Sequence, residues 1–177
     1  MNIPWQKKAE FQEVLMFFTT VSSNRGHDLD PVRSLARDIR MIFREMAPRL
    51  DTLCAVTCPD CRNNCCQRAT ISYDFRDLLY LFFGPGSLPG SQISKNSQCS
   101  CLTDTGCSLP RSRRPFVCTW YFCPDQKEGA LQSGLTKKIQ KLKDLRSRME
   151  TEFCRITGES YPGITVAPMA ADPGSGQ

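Results

Sequence analysis

The chain reads Cys58-Pro59-Asp60-Cys61-Arg62-Asn63-Asn64-Cys65-Cys66, which places four of its eleven cysteines in one short stretch. A second group of cysteines follows downstream, beginning at Cys101 and ending at Cys123. Cysteines two to five residues apart allow several thiolates to meet at one metal centre, and the turns between them supply N–H donors to sulfur. The predicted metal ligands are Cys58, Cys61, Cys65, Cys66, Cys101, Cys107, Cys118 and Cys123.

Upstream of these cysteines, two amphipathic patterns predict helices. The first covers residues 5–22, where apolar residues recur near one face. The second begins at Asp30 and Pro31, because aspartate caps a helix and proline fits the first helical position, where its missing N–H costs nothing. Residues 54–66 are predicted to be irregular, since Pro59 and the asparagines favour turns.

Downstream, two further helices are predicted. A short helix over 72–83 is capped by Asp74 and stops at the glycine-rich stretch after it, with a strand as the alternative. A long helix over 128–157 follows from apolar residues that recur every three or four positions, and Gly158 is well placed to end it. Such an apolar stripe is typical of a packing face.

These patterns predict a mainly α fold, a small helical domain built around an irregular, cysteine-rich metal-binding core. The length fits one domain that buries a core without covalent cross-links. We expect a single domain over residues 1–158, with the cysteine-rich core at 54–124. Residues 159–177 are rich in glycine and proline and are predicted to be a disordered tail.

The cysteine count favours a reducing compartment. Eleven is an odd number, so complete pairing in internal disulfides is impossible. The apolar run 14–21 faintly resembles a signal peptide, but Glu10 and Glu13 stand where its apolar part would begin. No stretch approaches the roughly 20 apolar residues that cross a bilayer. We therefore expect a cytoplasmic protein that does not contact a membrane.

Three motifs set the cysteines in a recognisable order: Cys58-x2-Cys61-x3-Cys65-Cys66, then Cys101-Leu102 with Gly106-Cys107, then Arg114-Pro115-Phe116-Val117-Cys118. This order resembles the YkgJ-type family of small bacterial proteins, described as a zinc- or iron-chelating domain. The resemblance covers residues 54–124. The chain departs from the family in having three residues, not two, before the vicinal pair. The related flagellin lysine methylases resemble iron–sulfur proteins that use S-adenosylmethionine, which implies an enzyme as one alternative.

The close spacing of the cysteines in the sequence bears on the identity of the metal. Sites made only of thiolates suit zinc and iron–sulfur clusters alike. The close spacing of Cys58, Cys61, Cys65 and Cys66 favours a cluster, whose corners are several ångströms apart, and a four-iron, four-sulfur cluster is the predicted cofactor. Zinc is the alternative, and disulfides or redox-active thiols are the third reading. The single histidine, His27, is predicted to be a loop residue rather than a ligand.

Basic residues allow two readings. Arg114 is expected to contribute to the cofactor site, either by donating hydrogen bonds to thiolates or by capping the loop beside Pro115. The alternative is an anion-binding surface made of Arg111, Arg113 and Arg114. The basic residues of the long helix are predicted to be a solvated face and not a nucleic-acid contact. They are Lys137, Lys138, Lys141, Lys143, Arg146 and Arg148.

The leading hypothesis is therefore a protein that chelates an iron–sulfur cluster or zinc, for redox chemistry or metal handling. A cluster-containing enzyme similar to S-adenosylmethionine-dependent protein methylases is the second hypothesis. A zinc-structured module that binds nucleic acid is the third. The metal ion or cluster is the only partner that the sequence predicts, and no particular protein partner or reaction follows from it.

Overall fold

The helices of this protein carry most of its apolar core. The computed structural model describes residues 8–59, 61, 66, 71, 73–84, 99, 101–103 and 106–158. In chain order, the helices are α1 Lys8–Asn24, α2 Asp30–Thr57, α3 Phe75–Phe83, α4 Val117–Trp120, α5 Pro124–Gln132 and α6 Leu135–Thr157. A two-stranded antiparallel hairpin, β1 Leu102–Thr103 and β2 Gly106–Cys107, precedes a 3-10 turn at Arg111–Arg113. The predicted mainly α fold is confirmed.

Helices α2 and α6 form the scaffold, because they pack along one another and contact most of the other elements. Both have an apolar face at helical spacing, as the sequence predicts. The face of α2 buries Val32, Ala36, Ile39, Ile42, Phe43, Met46 and Leu50. The face of α6 buries Leu135, Ile139, Leu142, Leu145, Met149, Phe153 and Ile156.

Helix α2 runs further than the sequence suggests. It starts with Asp30 and Pro31 in its first turn, while Leu29 precedes them as the capping residue. The helix then continues past Pro48 to Thr57, so Cys54 is helical and not part of an irregular segment. The prediction of irregular structure from residue 54 is therefore wrong for the last turn of α2, where packing outweighs the nearby turn-forming residues.

Helix α3 begins as predicted. The Asp74 Oδ1 atom accepts a hydrogen bond from the backbone N–H of Asp77 at 2.7 Å, and the Asp77 carboxylate accepts one from the Asp74 N–H at 3.1 Å. This reciprocal capping satisfies two N–H groups that the first turn leaves without helical partners. The helical alternative for this segment is confirmed over Phe75–Phe83.

The predicted long helix over 128–157 is two helices. Helix α5 ends at Gln132, and α6 starts at Leu135 after a break at Gly134, whose φ is 70°. Gly158, with φ of 72°, ends α6 as predicted. The sequence did not indicate this break, because the leucine spacing continues across it. In the structure, Leu131 is 67% exposed and contributes nothing to the packing face.

The left-handed backbone at Gly134 gives a first testable prediction. Gly134→Ala is expected to lower the free energy of unfolding by about 1–2 kcal/mol, the cost of a left-handed conformation for a residue with a Cβ. No atom lies within 4 Å of the Cβ that alanine would add, so the backbone is the whole cause. Urea unfolding measures the change. Gly26→Ala is the matched control, and an equal loss in both variants would contradict the prediction.

None of the described helices combines the length and the apolar character needed to cross a membrane. The predicted cytoplasmic location stays a prediction. The single-domain boundary at residue 158 also stays a prediction, and the tail at 159–177 lies outside the described residues.

Candidate metal centre

Four cysteines line one small cavity beside the hairpin. They are Cys99, Cys101, Cys107 and Cys118, and the cavity between them has a volume of about 20 Å³. The rest of its wall is mostly apolar and consists of Ile71, Tyr73, Leu109, Arg114 and Pro115. Three of these cysteines belong to the predicted ligand set. Cys99 does not, since the sequence favoured Cys101 over it as the cysteine of the Cys-Leu motif.

The hairpin sets Cys101 and Cys107 close to each other. Leu102 pairs with Cys107 in the antiparallel ladder, and the Ser108 N–H and hydroxyl both donate to the Cys101 carbonyl, at 2.8 and 3.1 Å. Gly106, the first residue of β2, has a φ of 113°, a conformation that residues with a Cβ rarely adopt. Both cysteines therefore reach the same cavity from neighbouring strand ends.

Cys99 connects this cavity to the first cysteine group. Its N–H donates to the Cys66 carbonyl at 3.1 Å, and its own carbonyl accepts the Leu102 N–H at 3.1 Å. This backbone contact joins Cys66, a predicted ligand, to Cys99, which was not predicted as one, and the meeting of ligands from both groups stays a prediction. Cys65 lies outside the described residues.

Buried polar contacts hold Cys118 in place. Phe116, two residues before Cys118, donates its N–H to the Asp77 carboxylate at 3.1 Å. Arg146 pairs with the same carboxylate at 2.5 Å and places its guanidinium 4.3 Å from the centre of the Phe116 ring. The Tyr73 hydroxyl donates to the Arg113 carbonyl at 2.8 Å. The segment that carries Cys118 is therefore fixed to α3 and α6.

Arg146 corrects one prediction. It was assigned to the solvated face of α6, but only 2% of its surface is exposed, and it pairs with Asp77 and Asp74. Burial raises the pKa of the Asp77 carboxyl above its ordinary value, while the facing Arg146 guanidinium lowers it. This ion pair is thus part of the core beneath the cavity and not a surface that could meet a nucleic acid.

Without a cation, the side chains around the cavity favour their neutral forms. Burial, and then the neighbouring Cys107 and Cys99, raise the pKa of the Cys118 thiol. Burial, and then Asp77, likewise raise the pKa of the Tyr73 hydroxyl. A bound metal cation reverses this preference, because it stabilises the thiolate form of the cysteines that coordinate it.

The two arginines nearest the cavity differ in what they contact. Arg114 lines the cavity, and its Nε and Nη2 atoms donate to the carbonyls of Leu109 and Cys107 at 2.7 and 3.4 Å. This is the loop-capping alternative, and a role of Arg114 in binding the cofactor stays a prediction. Arg111 instead donates to a sulfur, that of Cys54, at 3.1 Å. No signal in the sequence separated the two arginines.

Of the other predicted ligands, Cys58, Cys61, Cys66 and Cys123 do not line the cavity. Cys58 caps the end of α2, and the Cys61 N–H donates to its carbonyl at 3.2 Å. Cys123 precedes α5 as its capping residue. Within the described part of the chain, no three side chains of histidine, cysteine, aspartate or glutamate stand close enough to form a finished metal site. The four cavity cysteines therefore share one space without converging on one point.

Comparison with known proteins adds no identification. No protein-family model matches the chain, and neither the curated proteins nor the solved structures contain a match. The resemblance to the YkgJ-type family therefore depends on the motif residues alone and stays a prediction.

Proposed function

We propose that this chain is a metal-binding protein that holds a zinc ion or an iron–sulfur cluster through cysteine thiolates. The observation that carries the proposal is the meeting of Cys99, Cys101, Cys107 and Cys118 at one cavity. Four thiolates are the usual complement of a structural zinc site and of a cluster alike.

The size of the cavity supports a single ion over a cluster. A volume of about 20 Å³ admits roughly one water-sized sphere. A cavity of this size accommodates a single ion more readily than a four-iron, four-sulfur cluster. We therefore place zinc first, and the iron–sulfur cluster that the sequence favoured becomes the alternative.

The remaining wall residues fit a site that holds charge away from water. Tyr73 and Ile71 are both buried, and both line the cavity beside the cysteines. The Arg114 side chain adds one positive charge at the wall, which partly balances a tetrathiolate centre of net charge about −2. Arg114 thereby contributes to the site through its charge, while its hydrogen bonds organise the loop.

The proposal is tested by the metal that the purified protein carries. The full chain is purified without air and without affinity resins that contain metal, and its zinc, iron and sulfide are counted by elemental analysis. We expect one zinc for each chain and a colourless solution. Equal amounts of iron and sulfide with a brown colour would instead support the cluster. A chain that carries neither metal, and takes up neither after reduction and reconstitution, would contradict the proposal.

A further inference from the structure

A second pair of cysteines lies apart from the cavity, at the end of α2. Cys54 and Cys58 are four residues apart, and the Cys58 N–H donates to the Cys54 carbonyl at 2.9 Å, as in a continuing helical turn. Residues four apart lie on the same face of a helix. Neither cysteine lines the four-cysteine cavity.

Two side-chain donors, Arg111 and Gln126, contact the two sulfurs, and the Gln126 Nε2 atom also donates to the Thr57 hydroxyl at 2.8 Å. Arg111 donates to Cys54 Sγ at 3.1 Å, and the Gln126 Nε2 atom lies 3.7 Å from Cys54 Sγ and 3.6 Å from Cys58 Sγ. A neutral thiol is a weak acceptor, whereas a thiolate is a strong one. The arrangement therefore suits charged sulfur, and hydrogen bonds of this kind are typical around thiolates that bind metals.

Charge balance favours a cation beside the pair once both sulfurs are ionised. Arg111 has a side chain only 6% exposed, and its Nε atom already pairs with Asp51 at 2.7 Å. Two thiolates beside that pair would leave an excess of negative charge. They would also lie at the end of α2 where the helix dipole is negative, which disfavours anions. A metal cation between the sulfurs compensates both effects.

We propose that Cys54 and Cys58 bind a soft d10 cation of the Cu(I) class, as a second site separate from the four-cysteine cavity. Soft thiolate ligands select such cations, and Cu(I) is satisfied by two of them. Gln126 and Arg111 hold the two sulfurs on the same side of the helix. This inference goes beyond the proposed function, because the two sites share no cysteine.

The proposal is tested by labelling the free thiols of the full chain, which keeps whatever metal it carries after purification. The protein is titrated without air against Cu(I) buffered by a competing chelator, then treated with N-ethylmaleimide, and the label on each cysteine is read by tandem mass spectrometry. We expect Cys54 and Cys58 to become protected together, at the same free Cu(I) concentration. The label on Cys154, which lies on α6, is expected to stay as it was.

Two variants separate this site from the cavity. In Cys54→Ser, the free Cu(I) concentration that protects half of Cys58 is expected to rise by more than about 100-fold. Loss of an outer-shell partner would raise it only roughly 10- to 100-fold. Cys118→Ser is expected to leave protection of the pair unchanged. The proposal is overturned if the pair is not protected together in the unmodified chain. It is also overturned if protection of Cys58 survives Cys54→Ser, or if it disappears in a folded Cys118→Ser chain. The result on the unmodified chain stands even if a variant does not fold.

Discussion

Replacement of Arg146 by leucine is expected to lower the free energy of unfolding by about 3–5 kcal/mol, the range for breaking a buried ion pair on one side. The Arg146 guanidinium contacts Asp77 at 2.5 Å and Asp74 at 2.8 Å. Leucine fills much of the space but leaves the Asp77 carboxylate, which is 4% exposed, without its counter-charge. Urea unfolding at neutral pH, followed by circular dichroism, measures the loss.

Arg148→Leu is the matched control, because Arg148 lies on the same helix and is exposed. Its free energy of unfolding is expected to stay within about 0.5 kcal/mol of the starting value, as for most surface changes. If both variants lose the same amount, the helix propensity or the charge of α6 is responsible and not the ion pair. A loss below 1 kcal/mol in Arg146→Leu would show that the Asp77 carboxyl is stable there without a counter-charge.

Replacement of Cys118 by serine is expected to weaken metal binding by more than about 100-fold, a larger effect than loss of an outer-shell partner. Serine keeps the size of the side chain, but its hydroxyl stays protonated and is a poor ligand for a metal that prefers sulfur. Cys118 is the cavity cysteine fixed most firmly to the core, through Phe116 and Asp77. Competition with a chelator of known zinc affinity measures the change.

Three further cysteine variants test whether the cavity is the metal-binding site. Cys154→Ser is expected to keep the metal, because Cys154 lies on α6 and does not line the cavity. Cys99→Ser is expected to lose it, and Cys123→Ser is expected to keep it. That last pair discriminates between the ligands predicted from the sequence and those that line the cavity. Retention of the metal by Cys118→Ser, with the fold intact, would exclude the cavity as the binding site.

The parts of this fold that depend on neighbouring residues could be predicted from the sequence. The capping of α3 by Asp74 is an example, because its partner Asp77 is three residues away. The end of α6 at Gly158 is another. Where the chain contains such a signal, the bounds of a helix follow from it. The break at Gly134 escaped because a glycine within an apolar repeat is compatible with either a helix or a turn.

The parts that depend on distant contacts could not be predicted in the same way. Cys99 and Cys118 reach one cavity through a hairpin and a segment anchored on α3, and no spacing rule connects them. One signal was available for Arg146, which lies between Leu142 and Met149 on the apolar face of α6. A charged residue at such a position indicates a buried partner, and the two aspartates that cap α3 provide it.

Arg111 has a consequence for how the protein would release a metal. Its guanidinium contacts the Leu50 carbonyl, the Asp51 carboxylate and the Cys54 sulfur on α2, and it also reaches the Cys118 carbonyl at 3.4 Å. One side chain therefore joins the end of α2 to the segment that completes the cavity. Opening that segment would break these contacts together, so it would open as one cooperative unit rather than fray residue by residue. If the cavity holds the proposed metal, its exchange would then depend on the opening of this whole unit and not on the exposure of any single sulfur.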